Sequence, residues 1–170
     1  MKKIFVLLIF FLNTNFLYAE SKFAYINVNH ILNNSVVGKS ISEHINNIRK
    51  NKINEFNKIE KDLANKEQNL VKKKNIIDKD EFDKEVILLK NEILNYENKK
   101  KKFNDEIDKK KMKYTKTILD TLNPIISNYV EKNSILIVFE KKNIIIAKKD
   151  LDITIPIMNI LNTKLNKIDF

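Results

Sequence analysis

Between residues 82 and 117 the apolar positions alternate spacings of four and three. Phe82, Val86, Leu89, Ile93, Tyr96, Phe103, Ile107 and Tyr114 fall on one line, interrupted only by Lys100, Lys110 and Thr117. That is the period of a helix with one stripe facing a partner helix. A similar line precedes it, through Ile41, Ile45, Ile48, Lys52, Phe56, Ile59, Leu63, Lys66, Leu70, Lys73 and Ile77. A repeated spacing of four around Lys52 is a stutter that relaxes supercoiling locally, and the lysines weaken the seam where they fall on it. Between the two lines lies a polar break, in which Asp78 or Asp80 can accept the free amide hydrogens that open a helix. The pattern predicts two arms of about 38 residues, folded antiparallel about a tip near 75–81 and projecting roughly 55 to 60 Å at ~1.5 Å per residue. One unbroken helix in a parallel coiled coil is the competing reading. The break, the helix-start signals and a strand-like segment at each end favour folding back.

The flanks read differently. Residues 22–28, KFAYINV, form an apolar run with aromatic and β-branched members and predict a buried strand. A short helical piece near 30–33 then leads through Ser35 and Gly38 into the first arm. Pro124, in Leu122-Asn123-Pro124-Ile125-Ile126, predicts a kink in the second arm or the start of a fresh helix. Residues 135–139 and 144–147 predict two more short strands joined by a tight turn. Asp152-Ile153-Thr154 opens a last amphipathic helix bearing Ile157, Ile160, Leu161 and Leu165. The expected fold class is α+β: a small β-sheet body from residues 20–38 and 118–170, with a coiled-coil hairpin from 39–117. Three apolar strands cannot bury both faces in one small protomer. The body is therefore expected to oligomerise through Phe23, Tyr25, Ile26, Val28, Ile135, Ile137, Val138, Ile144 and Ile146.

The N-terminus carries Lys2 and Lys3, an apolar run over 4–12, a polar interruption at 13–15, and Ala19 at the end of a second apolar stretch. This predicts a secretory signal over 1–19, cleaved after Ala19, with an uncleaved anchor as the competing reading because Leu17 is bulky for a cleavage site.

Composition narrows the chemistry. One Gly and two Pro leave too little punctuation for a turn-rich β fold or a Gly-rich nucleotide loop, and no Cys means no disulfide, thiolate or Cys-type zinc site. His30, read as a helix-start or surface residue, and His44, read as exposed on the first arm, lack metal-ligand spacing. No enzyme, catalytic residue, metal or cofactor is expected. The net charge of +10 suggests acidic partners, although an AT-rich genome, by enriching Lys, Asn and Ile, produces the same bias. Loss of the signal with Lys2 and Lys3 would leave 30 basic and 22 acidic residues, net +8, and the 22 basic and 15 acidic residues between 39 and 116 put +7 of that on the arms.

With these features in place, the chain resembles the Skp/OmpH family of periplasmic chaperones over essentially the whole mature length. The resemblance rests on the strand at 23–28 followed by Ile31-Leu32, on Ser35 and Gly38-Lys39, on the charged heptad hairpin, and on Pro124-Ile125, the strand pair and Asp152-Ile153-Thr154 in that order. It implies a homotrimer with three helical tentacles around a cavity, in the periplasm, holding unfolded outer-membrane β-barrel proteins without ATP. It also implies a link with anionic lipid or lipopolysaccharide, for which no compact motif maps onto this sequence.

A holding role needs weak contacts at many points. Ile53, Val71, Ile76, Ile87, Leu88, Leu94 and Met112, apolar residues off the seam, are the candidate client contacts, and each serves equally well as filler against the partner arm. Lys72, Lys73, Lys74, Lys99, Lys101, Lys102, Lys109 and Lys111 are the candidate basic surface, with a plain solvated face as the favoured reading of such runs. A structural or adaptor coiled coil of the cell envelope is the alternative function. A nucleic-acid binder is disfavoured by the missing recognition motifs and the export signal.

Overall fold

The computed structural model describes residues 22–170, so the signal predicted over 1–19 lies outside the described residues. Strand β1 (Lys22–Ile26) leads into the short helix α1 (Val28–Asn34). Helix α2 (Val36–Lys73) runs out to a turn at 74–78, and α3 (Lys79–Lys132) runs back. Strand β2 (Ile135–Glu140), two single 3-10 turns and helix α4 (Thr154–Lys164) complete the chain. The arms are antiparallel: Lys66 reaches Glu92 and Lys73 reaches Glu85, so a step of seven along α2 is a step of seven back along α3. At ~1.5 Å per residue the 38 residues of α2 extend about 57 Å.

The starts of α1, α2 and α3 each have a local cause. Asn27 accepts from the amide of His30 at the head of α1, Ser35 accepts from the amide of Gly38 at the head of α2, and the Asp78 carboxylate accepts from the amide of Glu81 at the head of α3. These contacts satisfy amides that have no intrahelical partner. The single glycine has a steric reason: a Cβ on Gly38 would sit 2.0 Å from the backbone oxygen of Leu32. Only a bare Cα lets α2 leave α1 at this angle.

The body forms where the arms return. Because α2 and α3 fold back, β2 arrives beside β1 and pairs with it in parallel, Phe23 opposite Ile137 and Tyr25 opposite Phe139. Parallel strands need a crossover, and here the whole hairpin is that crossover. The core beneath is built from Ile31, Val37, Ile118, Leu122, Ile157 and Leu161, nearly or fully excluded from solvent. Burial of each contributes about 1.5 to 3 kcal/mol. Polar ties reinforce it: the Asn27 amide donates to Thr154 Oγ1 at 2.8 Å, and the Val36 amide donates to Asn162 Oδ1 at 2.8 Å.

Four sequence expectations are corrected. The sheet has two strands among the described residues, not three: the chain leaves β2 in a 3-10 turn, Lys141–Asn143, and residues 144–147 pair with nothing. Ile144 is therefore half-buried beside the sheet, and Ile146 is 90% exposed, instead of both lying in a strand. Val28 opens α1 rather than closing β1, because Asn27 caps a helix there. Pro124 starts no fresh helix; α3 passes through it without interruption. Pro124 and Asp120, whose carbonyl loses its partner, are both exposed, so water can replace the missing bond. His44 is half-buried rather than exposed, with the Phe170 ring stacked on it.

Candidate functional site

The arms hold together along the predicted seam. Ile45, Phe56 and Leu70 of α2 and Tyr96, Ile107 and Tyr114 of α3 are its buried members. At mid-arm Phe56 meets Tyr96 and Phe103 edge-on, each at 5.7 Å. Three of the seam lysines are cross-arm connectors: Lys66 binds Glu92 at 2.7 Å, Lys73 binds Glu85 at 2.7 Å, and Lys100 binds Glu60 at 3.1 Å, whereas Lys52 pairs with Glu55 of its own helix. Their signal was available in the sequence, since Lys66 and Lys73 are spaced like Glu85 and Glu92. The Tyr96 hydroxyl also donates to Glu60, and the bonds from Tyr96 and then Lys100 hold the Glu60 carboxyl below its ordinary range. Tyr96 itself is pushed up, first by burial and then by its bond to Glu60. Such exposed pairs contribute about 0 to 1 kcal/mol each to stability.

The off-seam apolar residues lie outside this buried seam. Ile53, Val71, Ile76, Ile87, Leu88, Leu94 and Met112 are all exposed, Ile76 at the tip by 78% and Met112 by 73%. Val71 and Leu94 border one groove between the arms, and the others are spread along the helices. The backbone beneath them is hydrogen-bonded within each helix, so the arms offer side chains and no free edge for strand addition. Lys72, Lys73, Lys74, Lys99, Lys101, Lys102, Lys109 and Lys111 are likewise exposed, and with partners among the described residues only Lys73 of these forms an ion pair. The arms thus combine a mostly unpaired cationic surface with dispersed aliphatic groups.

The body carries a second apolar surface. Tyr25 and Ile26 are buried; Val28, Ile135, Val138 and Ile144 are half-buried; Phe23 and Ile137 are exposed. Leu136, Phe139 and Ile145, the last 98% exposed, are further exposed apolar residues of the body and were not singled out from the sequence. The alternation within 144–146 carried no hint of which isoleucine would face out. Among the described residues one side of β2 pairs with β1 and the other pairs with nothing, while β1 gains a bridge from Tyr25 to Asp152. At that bridge Lys141 binds Asp152 at 2.9 Å. Partial burial pushes the Asp152 carboxyl up, but hydrogen bonds from Thr154 and Lys141 outweigh it and leave the carboxyl below its ordinary range. Among the described residues no cluster of three or more His, Asp and Glu is placed to hold a metal ion, and no helix is long and apolar enough to cross a membrane.

A two-stranded body with a long helical hairpin is a specific arrangement, and comparison with known proteins gives it a name. The family model described as outer membrane protein (OmpH-like) matches residues 22–161. The chain belongs to the OmpH-like family. Among solved structures, it is similar to a protein from Caulobacter crescentus CB15 assigned as an outer membrane chaperone (OmpH-like), with a TM-score of 0.75 and 18% identity, over 89% of this chain and 90% of that one. At that identity the likeness speaks for the fold. No curated protein matches the chain. The OmpH-like assignment covers both strands, both arms and most of α4, so it takes in the two apolar surfaces together.

Proposed function

We propose that this OmpH-like protein is a non-enzymatic chaperone of the periplasm that holds unfolded outer-membrane β-barrel proteins between its arms, without ATP, after loss of its signal segment. The observation that carries the reading is the exposure of aliphatic residues dispersed over helices whose backbone is already satisfied. An unfolded barrel protein presents alternating apolar side chains and unpaired backbone, and it aggregates by pairing strands. A holder made of helices contacts the side chains without templating those strands. The excess of lysine on the arms adds attraction for acidic clients over about one Debye length, ~8 Å at physiological ionic strength.

Assembly follows from the body in this reading. Three copies, joined through the open edge of β2 and the isoleucines at 144–146, would surround a cavity with their arms. Self-association supplies a partner for apolar side chains that the single chain leaves in water.

The test is to dilute a urea-unfolded barrel protein into buffer containing the purified, processed chain, and to record light scattering and complex mass together. Suppressed scattering with a defined complex of several copies per client supports the proposal. Undiminished aggregation, together with tight binding of one folded envelope protein, would instead identify an adaptor coiled coil.

A further inference from the structure

The outer half of the hairpin has two unlike faces. On one, Lys66 binds Glu92 and Lys73 binds Glu85, so ion pairs bridge the arms above the seam, and Leu88 lies among them. That face holds a groove of about 490 Å³, which the two ion pairs cross; on the other face no ion pair crosses among the described residues, and a groove of about 520 Å³ opens between the helices. Its floor is Leu70, Phe82 and Ile93, and its rim carries Val71, Val86 and Leu94. All three rim residues are exposed, and Val86 is exposed although it occupies a seam position.

We propose that this open face, and not the ion-paired one, is where an extended apolar segment of an unfolded polypeptide docks on each arm. The inference rests on the holding role proposed above and assigns it a surface. Three observations select the occupant. Along α3 the groove runs from Phe82 to Glu97, roughly 22 Å at ~1.5 Å per residue. That length accepts about six or seven residues of extended chain, with alternate side chains directed inward. The charges at the rim, Glu67 and Glu97 against Lys74 and Lys90, balance, so the groove favours an uncharged segment over an acidic one. About six or seven residues are also few beside the roughly 20 to 30 a side that a stable protein interface engages, which suits a contact made and released many times rather than a permanent partner. Attraction and grip are thereby separated: the unpaired lysines act at a distance on any acidic client, and the groove acts at contact on apolar stretches.

The test places the photo-crosslinking residue benzoylphenylalanine at position 71, 94 or 88 of the processed protein, all exposed sites where a bulky ring is accommodated. Each variant is irradiated with a urea-diluted outer-membrane β-barrel protein, and alone. The expected result is at least a fivefold higher yield of client adduct from 71 and 94 than from 88. Equal yields, or a higher yield from 88, with client still held in solution, overturn the face assignment alone. Adducts between copies of this chain from 71 and 94 in the absence of client, undiminished by its addition, overturn it in favour of a second copy covering the groove. If the unsubstituted protein fails to keep the client soluble, the holding role falls and the docking surface with it.

Discussion

The ring of Phe170 lies flat against the ring of His44, centroids 3.9 Å apart and planes within 7° of parallel. The same ring meets Tyr114 edge-on at 5.6 Å. His44 is on α2 and Tyr114 on α3, so a residue beyond α4 touches both arms at their root. Ile168, two residues earlier, packs against both apolar clusters, the one in the body and the one around Ile45 and Ile107. The segment after α4 therefore fastens the arms to the body. Phe170→Ala should cost about 1 to 2 kcal/mol, less than a fully buried phenylalanine because the ring is half exposed. Urea unfolding at matched protein concentration measures the loss. Amide exchange around Ile45 should accelerate while exchange at the tip stays unchanged.

Gly38 is the position where the smallest change should do most harm. Alanine there would bring Cβ within 2.0 Å of the Leu32 carbonyl oxygen and 2.9 Å of its carbon, backbone atoms that cannot swing aside. Overpacking of this kind costs about 1 to 3 kcal/mol or more, against a helix-propensity gain from glycine to alanine of just under ~1 kcal/mol. Gly38→Ala should therefore lower the urea midpoint. An unchanged or raised midpoint would show that α1 shifts freely against α2.

The arms were legible in the sequence because their signal is long: a slip of one residue in the pattern would move Tyr96, Ile107 and Tyr114 off the seam together. The turn was legible because Asp78 supplies a specific acceptor for the Glu81 amide. The body was less so. Residues 144–146 satisfy the strand pattern, yet a strand needs a neighbouring edge, and after the turn at Lys141–Asn143 the chain no longer runs alongside β2. His44 was misplaced because its cover comes from Phe170, far along the chain, and no local spacing announces such a contact. The open groove was hidden for a related reason. Heptad position says that Val86 belongs to the seam, but only the three-dimensional arrangement shows which side of the seam stays uncovered.

The bridge between Lys141 and Asp152 should give the body an acid-sensitive tie. Asp152 is depressed from its ordinary value of 3.8 in the folded state. Its contribution is therefore fully present above that value and is lost as pH falls through the lower folded one. Lys141 is raised above 10.5, mainly by its hydrogen bond to Asp152, so its share persists through neutral pH and disappears only as strongly alkaline conditions deprotonate it. Asp152→Asn should flatten the acid side of the stability profile between about pH 5 and 2 relative to the unmodified protein. Overlapping profiles would mean that the carboxylate is not felt by folding.

Ser134 stands at φ 52° just after α3, in the left-handed region that closes many helices. The amide of Asn133 donates to the Tyr129 carbonyl, and that of Ser134 to the Glu131 carbonyl, so the terminating turn is formed despite the side chain. A non-glycine residue there carries a penalty of about 1 kcal/mol. Ser134→Gly should recover most of it, partly offset by the freedom glycine adds to the unfolded chain. A rise in thermal midpoint with unchanged helical circular dichroism is the expected outcome; a fall would show that the serine is held by contacts worth more than the strain.

The cross-arm pairs should be worth little in stability and more in register. Lys73 and Glu85 are both substantially exposed, so a double-mutant cycle using Lys73→Ala and Glu85→Ala should return a coupling of about 0.2 to 1 kcal/mol that vanishes in high salt. Reversing both charges should restore the unmodified behaviour, because the pair reads the same in either direction across the seam. Reversing Lys73 and Lys66 together, with Glu85 and Glu92 left in place, confronts like charges at two points a heptad apart, and the arms can relieve this only by slipping or splaying. Spin labels at positions 65 and 94, on opposite arms, should then report a broadened distance distribution while helix content is retained. A distribution as narrow as that of the unmodified arms would mean that the apolar seam fixes the register unaided and that the ion pairs are incidental to it.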